Sequence, residues 1–352
     1  MFQGLYEKRG LQMLNQLSDE YLPTEILHRK EQIDEISECF DIFNQGKYGS
    51  QSLAILGVTG SGKSTIIRKI EEEKKNAIYI NCAETKTAFK TLKAICGAKV
   101  KTHSDMLSKI IEFLKENPKI IILDEADKVT DLIILMNDLN VVYRKLMIPV
   151  ILVTLKRDIV ETLPSDVRKT FFFQKVNLPS YNAFELKDIL ISRLKIADIE
   201  VPELDEGKIA YIAAIAAQQG SARVLINITL RCLQRANFSE EYIGVVYDQI
   251  TKEDWLDFVN GINHTEKVFL LFLLDNCDWE KEISSEYIQN NIAFPHGKKL
   301  SGGRISQLLN SFEKYSLISS RHNNQGRAGG RKRMVKFCTK ENYQDLSKEL
   351  GY

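Results

Sequence analysis

The segment Gly57-Val-Thr-Gly-Ser-Gly-Lys-Ser-Thr65 constrains this chain more than any other. It fits the pattern G-x-x-x-x-G-K-[ST], with Gly57, Gly62, Lys63 and Ser64 at the specified positions. Val58, Thr59, Gly60 and Ser61 fill the loop between them, and Thr65 follows. The apolar run Leu53-Ala-Ile-Leu56 precedes it and the helix-like Ile66-Ile-Arg-Lys-Ile70 comes next. Strand, glycine loop and helix together predict a phosphate cradle. Glycines let backbone N–H groups converge on an anion, and a helix start adds a favourable partial charge. Lys63 is expected at the β- and γ-phosphates of a nucleotide, and the Ser64 hydroxyl at Mg²⁺.

The first two thirds of the chain alternate apolar strands with amphipathic helices. Strands are predicted at Ser52–Leu56, Ala77–Asn81, Ile120–Asp124, Pro149–Thr154 and Phe171–Val176, with helices such as Ser104–Glu116 and Asp127–Leu146 between them. That alternation implies an α/β domain with a parallel sheet. Beyond Pro179-Ser-Tyr181, helices are predicted at Asn182–Ala197, Glu206–Gln219 and Ser221–Ala236, with Ser221 as an N-cap. A third unit begins near His264, with helices over Thr265–Asp275, Ser284–Asn291 and Arg304–Tyr315. Strands at Leu317–Arg321 and Arg333–Phe337 then flank a Gly-rich basic turn, the pattern of a winged helix. The expected domains are 1–180, 181–260 and 261–352.

Sixty-one positions after Lys63 the run Ile120-Ile-Ile-Leu-Asp124-Glu125 ends in paired acids. Asp124, at a strand end, suits the shell of Mg²⁺, and Glu125 suits polarising a water for attack on the γ-phosphate.

With these motifs in place, the chain resembles an AAA+ P-loop NTPase, and among those the archaeal origin-recognition and cell-division-control type replication initiators. The segment from Tyr21 to Gln32 resembles the family stretch that runs past the adenine. Leu178-Pro-Ser-Tyr181 through Leu190 resembles the approach to the helical lid. Gly220-Ser-Ala-Arg223 resembles the second sensor, an Arg that reaches the γ-phosphate from the lid. The resemblance implies that ATP or ADP with Mg²⁺ lies between sheet and lid, in contact with Tyr181 and Arg223. Two departures argue against fast hydrolysis. Thr154 stands where the family carries a polar sensor Asn, and Arg168 lies two places beyond the usual position of an Arg reaching a neighbouring subunit's nucleotide. The stretch Thr85–Lys93 falls where the subgroup inserts a DNA-contacting helix; a solvated helix face explains its spacing equally well.

The net charge of the chain is only +1, but it is unevenly spread. From His296 to Lys340 there are eleven Lys or Arg and a single acid, Glu313, so this stretch carries 11 − 1 = +10 and the remainder 1 − 10 = −9. Such polarity suits a polyanion at one end of the molecule. Arg304, Gln307, Asn310 and Lys314 fall on the polar side of the third helix, opposite Ile305, Leu308, Leu309 and Phe312. Arg321, Arg327, Arg331, Lys332 and Arg333 surround the turn. Double-stranded DNA is the expected partner, with phosphate contacts supplying affinity and Arg304, Gln307 and Asn310 reading bases.

Other bulk properties narrow the class. A hydrophobic content of 44% with 27% charged residues describes a globular protein. No apolar run approaches bilayer length, and the N-terminus lacks a secretory pattern, so no membrane association is expected. Six dispersed cysteines without a C-x-x-C pair indicate neither a zinc site nor a disulfide framework. These features suit a cytoplasmic, nucleoid-associated protein. The family resemblance further implies recruitment of a replicative helicase and contact with related initiator subunits. A branch-migration type DNA motor and a signalling ATPase switch share the same domain order and remain alternatives.

Overall fold

The computed structural model describes residues 16–18, 21–46, 51–97, 102–156, 158–262, 264–292, 299–314, 317–324, 331–338 and 340–349. The chain divides into two compact units, Met1–Ile243 and Gly244–Tyr352.

The first unit is built on five parallel strands: β1 (Leu53–Gly57), β2 (Ala77–Asn81), β3 (Ile120–Asp124), β4 (Val150–Thr154) and β5 (Gln174–Leu178). Their order is β2-β3-β4-β1-β5. β3 and β4 are buried along their whole length and β1 nearly so, as expected of parallel strands covered on both faces. Alternation sorts their side chains between two cores. Leu53, Ile55, Ile120, Ile122, Ile151 and Val153 face one way, against α1 (Lys30–Asn44) and α2 (Lys63–Lys74). Ala54, Leu56, Ile121, Leu123, Val150 and Leu152 face the other core. That core also takes in residues of α4 (Ala88–Cys96), α5 (His103–Glu116), α6 (Leu132–Leu146) and α8 (Ser165–Phe171). The short helices α3 (Cys82–Thr85) and α7 (Ile159–Thr162) complete this layer. β5 alternates between exposed and buried positions, as an edge strand does.

Two segments differ from the sequence reading, each because a side chain is used elsewhere. The helix expected over Asp127–Leu146 is interrupted. A 3₁₀ turn covers Ala126–Lys128, and α6 begins only at Leu132. The Asp131 carboxylate, just before α6, accepts from the Ala88 N–H at 2.7 Å, and Asp127 accepts from Thr154, so neither residue continues a helix face. The fifth strand starts at Gln174, not Phe171. Phe171 instead ends α8 and is buried edge-on against Tyr143 (centroids 4.9 Å apart) and stacked with Phe173 (5.4 Å). Phe172 then reverses the chain at φ 45°.

Three helices follow within the same unit: α9 (Ala183–Ile196), α10 (Glu206–Ala216) and α11 (Ala222–Arg235). Their starts carry local signals. Asn182 and Glu185 form a reciprocal capping box, Asp205 caps α10, and the Ser221 hydroxyl accepts from Val224 N–H. A long helix, α12 (Glu240–Gly261), spans a stretch with no clear amphipathic period; the division between the units falls within it.

The second unit contains α13 (His264–Asn276), α14 (Ser285–Asn291), α15 (Gly302–Lys314) and an antiparallel sheet. The sheet order is β6-β8-β7, with β6 at Ile283–Ser284, β7 at Ile318–Asn324 and β8 at Arg331–Phe337. This is a winged helix. A further helix, α16 (Lys340–Glu349), closes it: Leu346 is fully buried and the Tyr343 ring meets Trp279 and Phe337 edge-on. Phe269 and Phe312 sit at the centre of its core, both fully buried with ring centroids 5.9 Å apart. Replacing Phe312 with Ala is expected to cost about 3–5 kcal/mol through lost burial and a residual cavity. Both tryptophans of the chain, Trp255 and Trp279, lie in this unit, so urea unfolding followed by tryptophan fluorescence reads its stability. A loss below about 1 kcal/mol would contradict the packing described.

Candidate functional site

The register of the sheet brings the predicted chemistry to one edge. Leu56 pairs with Thr154 and Gly57 with Leu178, while Asp124 ends β3 beside Asn81. The carboxyl ends of parallel strands are where ligands bind in such folds. Here a cleft opens there, lined by the phosphate loop, Asp124, Glu125, Asp127, Thr154, Tyr181 and Arg223, with Pro23, Ile26, Leu27, Ile189 and Ile226 as its apolar wall. The apolar residues come from the N-terminal segment and from helices α9 and α11. A flat aromatic base could be received there, with charged phosphates held at the other end.

The loop is shaped by close approach. Gly60 and Gly62 adopt φ values of 73° and 94°, which L side chains rarely take. A Cβ on Gly60 would lie 2.0 Å from the Ser221 hydroxyl, and one on Gly62 3.0 Å from the Tyr181 hydroxyl. The Ala222 N–H donates to Gly60 O at 3.0 Å, so the first turn of α11 rests directly on the loop. Lys63, only 8% exposed, donates from Nζ to Gly57 O (2.9 Å) and Val58 O (2.8 Å). A phosphate entering the cleft would meet this ammonium already oriented by the loop. Gly62 precedes α2, whose free first N–H groups favour an anion. The Ser61 hydroxyl is buried with no partner among the described residues. Ser64 and Thr65 both line the cleft, and Ser64 is exposed to it.

The acids are held in distinct ways. Asp124 is 3% exposed; its Oδ2 accepts from the Tyr79 hydroxyl at 2.6 Å and its Oδ1 from the Glu125 N–H at 2.9 Å. Burial, reinforced by the Asp124 charge, pushes the Tyr79 phenol far above its ordinary pKa, so it remains a donor throughout the physiological range. Two anchored oxygens give Asp124 one orientation. Glu125 takes a left-handed conformation at φ 53°, and its exposed side chain borders the cleft. A non-glycine residue in this region is costly and concentrates at functional sites. Thr154, in the position of the expected polar sensor, donates from Oγ1 to Asp127 Oδ1 at 2.7 Å and accepts from the Lys156 N–H at 3.0 Å. The residues thus suit a nucleoside triphosphate, and Ser64 with Asp124 offers the oxygen donors that Mg²⁺ prefers. Arg223 is exposed at the cleft wall, one residue after the contact between Ala222 and Gly60. Arg168 lies exposed on α8, outside the cleft lining.

Three contributors were not singled out from sequence: Tyr79, Arg193 and Arg29. Arg193 Nη1 donates to Gln16 O and Nη2 to Tyr21 O, clasping the N-terminal segment to α9. Nothing in a lone Arg or Tyr distinguishes such a role from a surface one; partners that are distant in the chain, 45 residues away for Tyr79 and as many as 177 for Arg193, decide it.

In the second unit, α15 shows the expected division. Ile305, Leu308, Leu309 and Phe312 are buried; Arg304, Gln307 and Asn310 are exposed, with Arg304 Nη1 donating to Gln307 Oε1 at 3.1 Å. Arg321 is largely exposed and pairs with Glu282 at 2.9 Å. Arg333 sits differently from the expectation of an open phosphate contact. Its side chain is 12% exposed and binds Glu313 and Ser320. It joins β8 to β7 and to α15, bracing the wing against the helix. Lys314, Arg331 and Lys332 lie in regular elements, but their side chains fall outside the description; Arg327 lies outside the described residues. On α4 the residues Phe89, Lys90 and Lys93 are exposed, while Ala88, Thr91, Leu92 and Ile95 are buried. Among the described residues no helix is long and apolar enough to cross a membrane.

Comparison with known proteins agrees with this geometry. The AAA domain family matches residues 46–163. The ORC1-type DNA replication protein 1 of Sulfurisphaera tokodaii is 24% identical over 89% of this chain and 86% of its own length. The ORC1-type DNA replication protein of Pyrococcus furiosus is 26% identical over 89% of this chain and 84% of its own. Among solved structures, the Aeropyrum pernix ORC1 protein in complex with DNA superposes with a TM-score of 0.65 at 20% identity, covering 95% of each chain. CDC6P from Pyrobaculum aerophilum gives 0.56 at 18% identity, covering 96% of each. The chain thus carries an AAA domain over residues 46–163 and is similar along most of its length to ORC1-type DNA replication proteins.

Proposed function

We propose that this protein is an ATP-regulated replication-origin-binding initiator. It holds duplex DNA through its winged helix and uses nucleotide binding and slow hydrolysis as a switch. The observation that carries the reading is the cleft itself. The phosphate loop, Asp124, Glu125 and Arg223 meet around one space, and the first turn of α11 is bonded to Gly60. Residues 1–180 then act as the nucleotide-binding α/β domain, 181–260 as the lid and 261–352 as the DNA-binding domain. The names of the relatives place them in DNA replication, and the Aeropyrum pernix neighbour was solved with DNA.

Lys63 and the N–H groups at the start of α2 would hold the phosphates of ATP or ADP, and Arg223 would sense the γ-phosphate from the lid. Mg²⁺, held by Ser64 and Asp124, would neutralise charge on those phosphates. Glu125, exposed and bordering the cleft, would accept a proton from an attacking water. Thr154, occupied by Asp127, is a short hydroxyl in the place of a longer amide, which favours slow turnover. A binding switch needs differential contact in the two nucleotide states, and Arg223 on the lid supplies it. Arg304, Gln307 and Asn310 would enter the major groove, with Arg321, Arg327, Arg331 and Lys332 at phosphates. Arg168 would reach a neighbouring subunit. Recruitment of the replicative helicase follows from the family reading. A motor of the branch-migration type needs a DNA hairpin between the acid pair and β4. Residues 126–148 hold a 3₁₀ turn and α6 only, which favours the switch.

Three outcomes test the reading. Lys63→Ala is expected to weaken ATP binding by about a hundredfold, since charge-assisted contacts to phosphate are lost; a fluorescent-nucleotide titration unchanged by this substitution would remove Lys63 from the site. Duplex affinity should fall with salt at a log–log slope near −4 to −5, as for roughly four to six neutralised phosphates. A flat response would end the DNA assignment. Arg304→Ala should cost about 1–3 kcal/mol on a footprinted genomic site and relax base preference there. Equal losses on all sequences would instead make Arg304 a phosphate contact.

A further inference from the structure

The largest fully buried side chain among the described residues is a cation. Arg29, 1% exposed, lies at the end of the N-terminal segment and directly before α1. Its guanidinium makes no hydrogen bond to a carboxylate among the described residues. Nε donates to Ser61 O at 3.2 Å, Nη1 to His28 O at 2.9 Å and Nη2 to Pro179 O at 2.8 Å. Its central carbon lies 3.6 Å from the centroid of the Tyr181 ring. One buried side chain therefore ties three separate pieces of chain: the N-terminal segment, the phosphate loop and the segment between β5 and α9. Burial of a cation against neutral partners is costly, and it is retained only where the surroundings fix it.

The bond to Ser61 O has a directional consequence. A trans peptide is planar, and its C=O and N–H point in opposite directions. The structure contains no cis peptide among the described residues. Pinning the Ser61 carbonyl toward Arg29 therefore aims the Gly62 N–H away from Arg29. Gly62 lines the cleft, whereas Arg29 lies outside its lining. The Tyr181 ring, stacked on the same guanidinium, places its hydroxyl close enough to Gly62 that a Cβ there would lie 3.0 Å away. Tyr181 N–H in turn donates to Gly220 O, at the threshold of α11 and Arg223.

We infer that Arg29 is a positioning residue. It holds the Ser61–Gly62 peptide with its N–H directed at the anion, and links that peptide to the segment between β5 and α9 and so to the lid. The inference rests on the nucleotide reading above and adds to it a residue that does not itself touch the ligand. Without Arg29 the peptide is free to rotate, and one aligned donor to the phosphates is lost along with a nearby positive charge.

The test uses the full chain and titrates fluorescent ATP and ADP analogues against the wild type, Arg29→Met and Arg29→Lys, with thermal melting of each without nucleotide. Arg29→Met is expected to weaken both nucleotides by about tenfold or more. Arg29→Lys keeps the charge but cannot span Ser61 O and Pro179 O in a planar fork, so an intermediate loss is expected. Nucleotide affinity must fall while the nucleotide-free melting temperature of Arg29→Lys stays within a few degrees of wild type. Wild-type affinity in a folded Arg29→Met would overturn the inference. Should that variant fail to fold, wild-type affinity in Arg29→Lys would overturn it equally. A wild-type protein that binds neither nucleotide would refute the nucleotide reading itself, a result distinct from either.

Discussion

Parallel pairing of β1 between β4 and β5 is the constraint on which the rest of the first unit depends. Backbone hydrogen bonds set Leu56 beside Thr154 and Gly57 beside Leu178. A slip of one residue would exchange the two cores, since alternate side chains of β1 belong to opposite faces. It would also carry the phosphate loop out of line with Asp124 and Thr154. The apolar burial of the central strands thus serves the cleft indirectly: it makes the correct register the only affordable one.

Around that edge, polar groups are buried only where they are tied. Asp124 is anchored through both oxygens, Thr154 through Asp127, and Lys63 through two loop carbonyls. Arg29 is satisfied by three carbonyls and an aromatic face. Each anchoring reduces the reorganisation a charged ligand would demand on arrival, which is what preorganised sites achieve. The second unit uses the same device on a smaller scale. Glu313, the one acid of the basic stretch, holds Arg333 and Ser320, and so fixes the wing to α15 while exposed cations remain for an anionic partner.

The sequence carried much of this. Continuous apolar runs marked all three central strands, and the phosphate loop and acid pair lay at their ends. Capping residues marked the starts of α9, α10 and α11, and the polar face of α15 was plain from its period. Legibility failed where a side chain's role depends on distant partners. Phe171, Phe172 and Phe173 look like strand residues, yet Phe171 closes α8 because Tyr143 offers it a packing surface. Asp127 suits a helix start, but Thr154 claims it. α12 has no legible period because its apolar residues follow no single face, and α16 offers little of one because few of its residues are apolar.

By itself, then, the amino-acid order determined the central parallel strands, the capped helix starts and the glycine loop between β1 and α2, because those follow from local period, capping and loop chemistry. Only the tertiary structure decided that Arg29 is buried and not solvated, that Arg333 braces the wing, and that the start of α11 rests on Gly60. Each of these is a contact between segments far apart in the chain. Its energy comes from desolvation and alignment in the folded state, quantities that no local pattern of residues encodes.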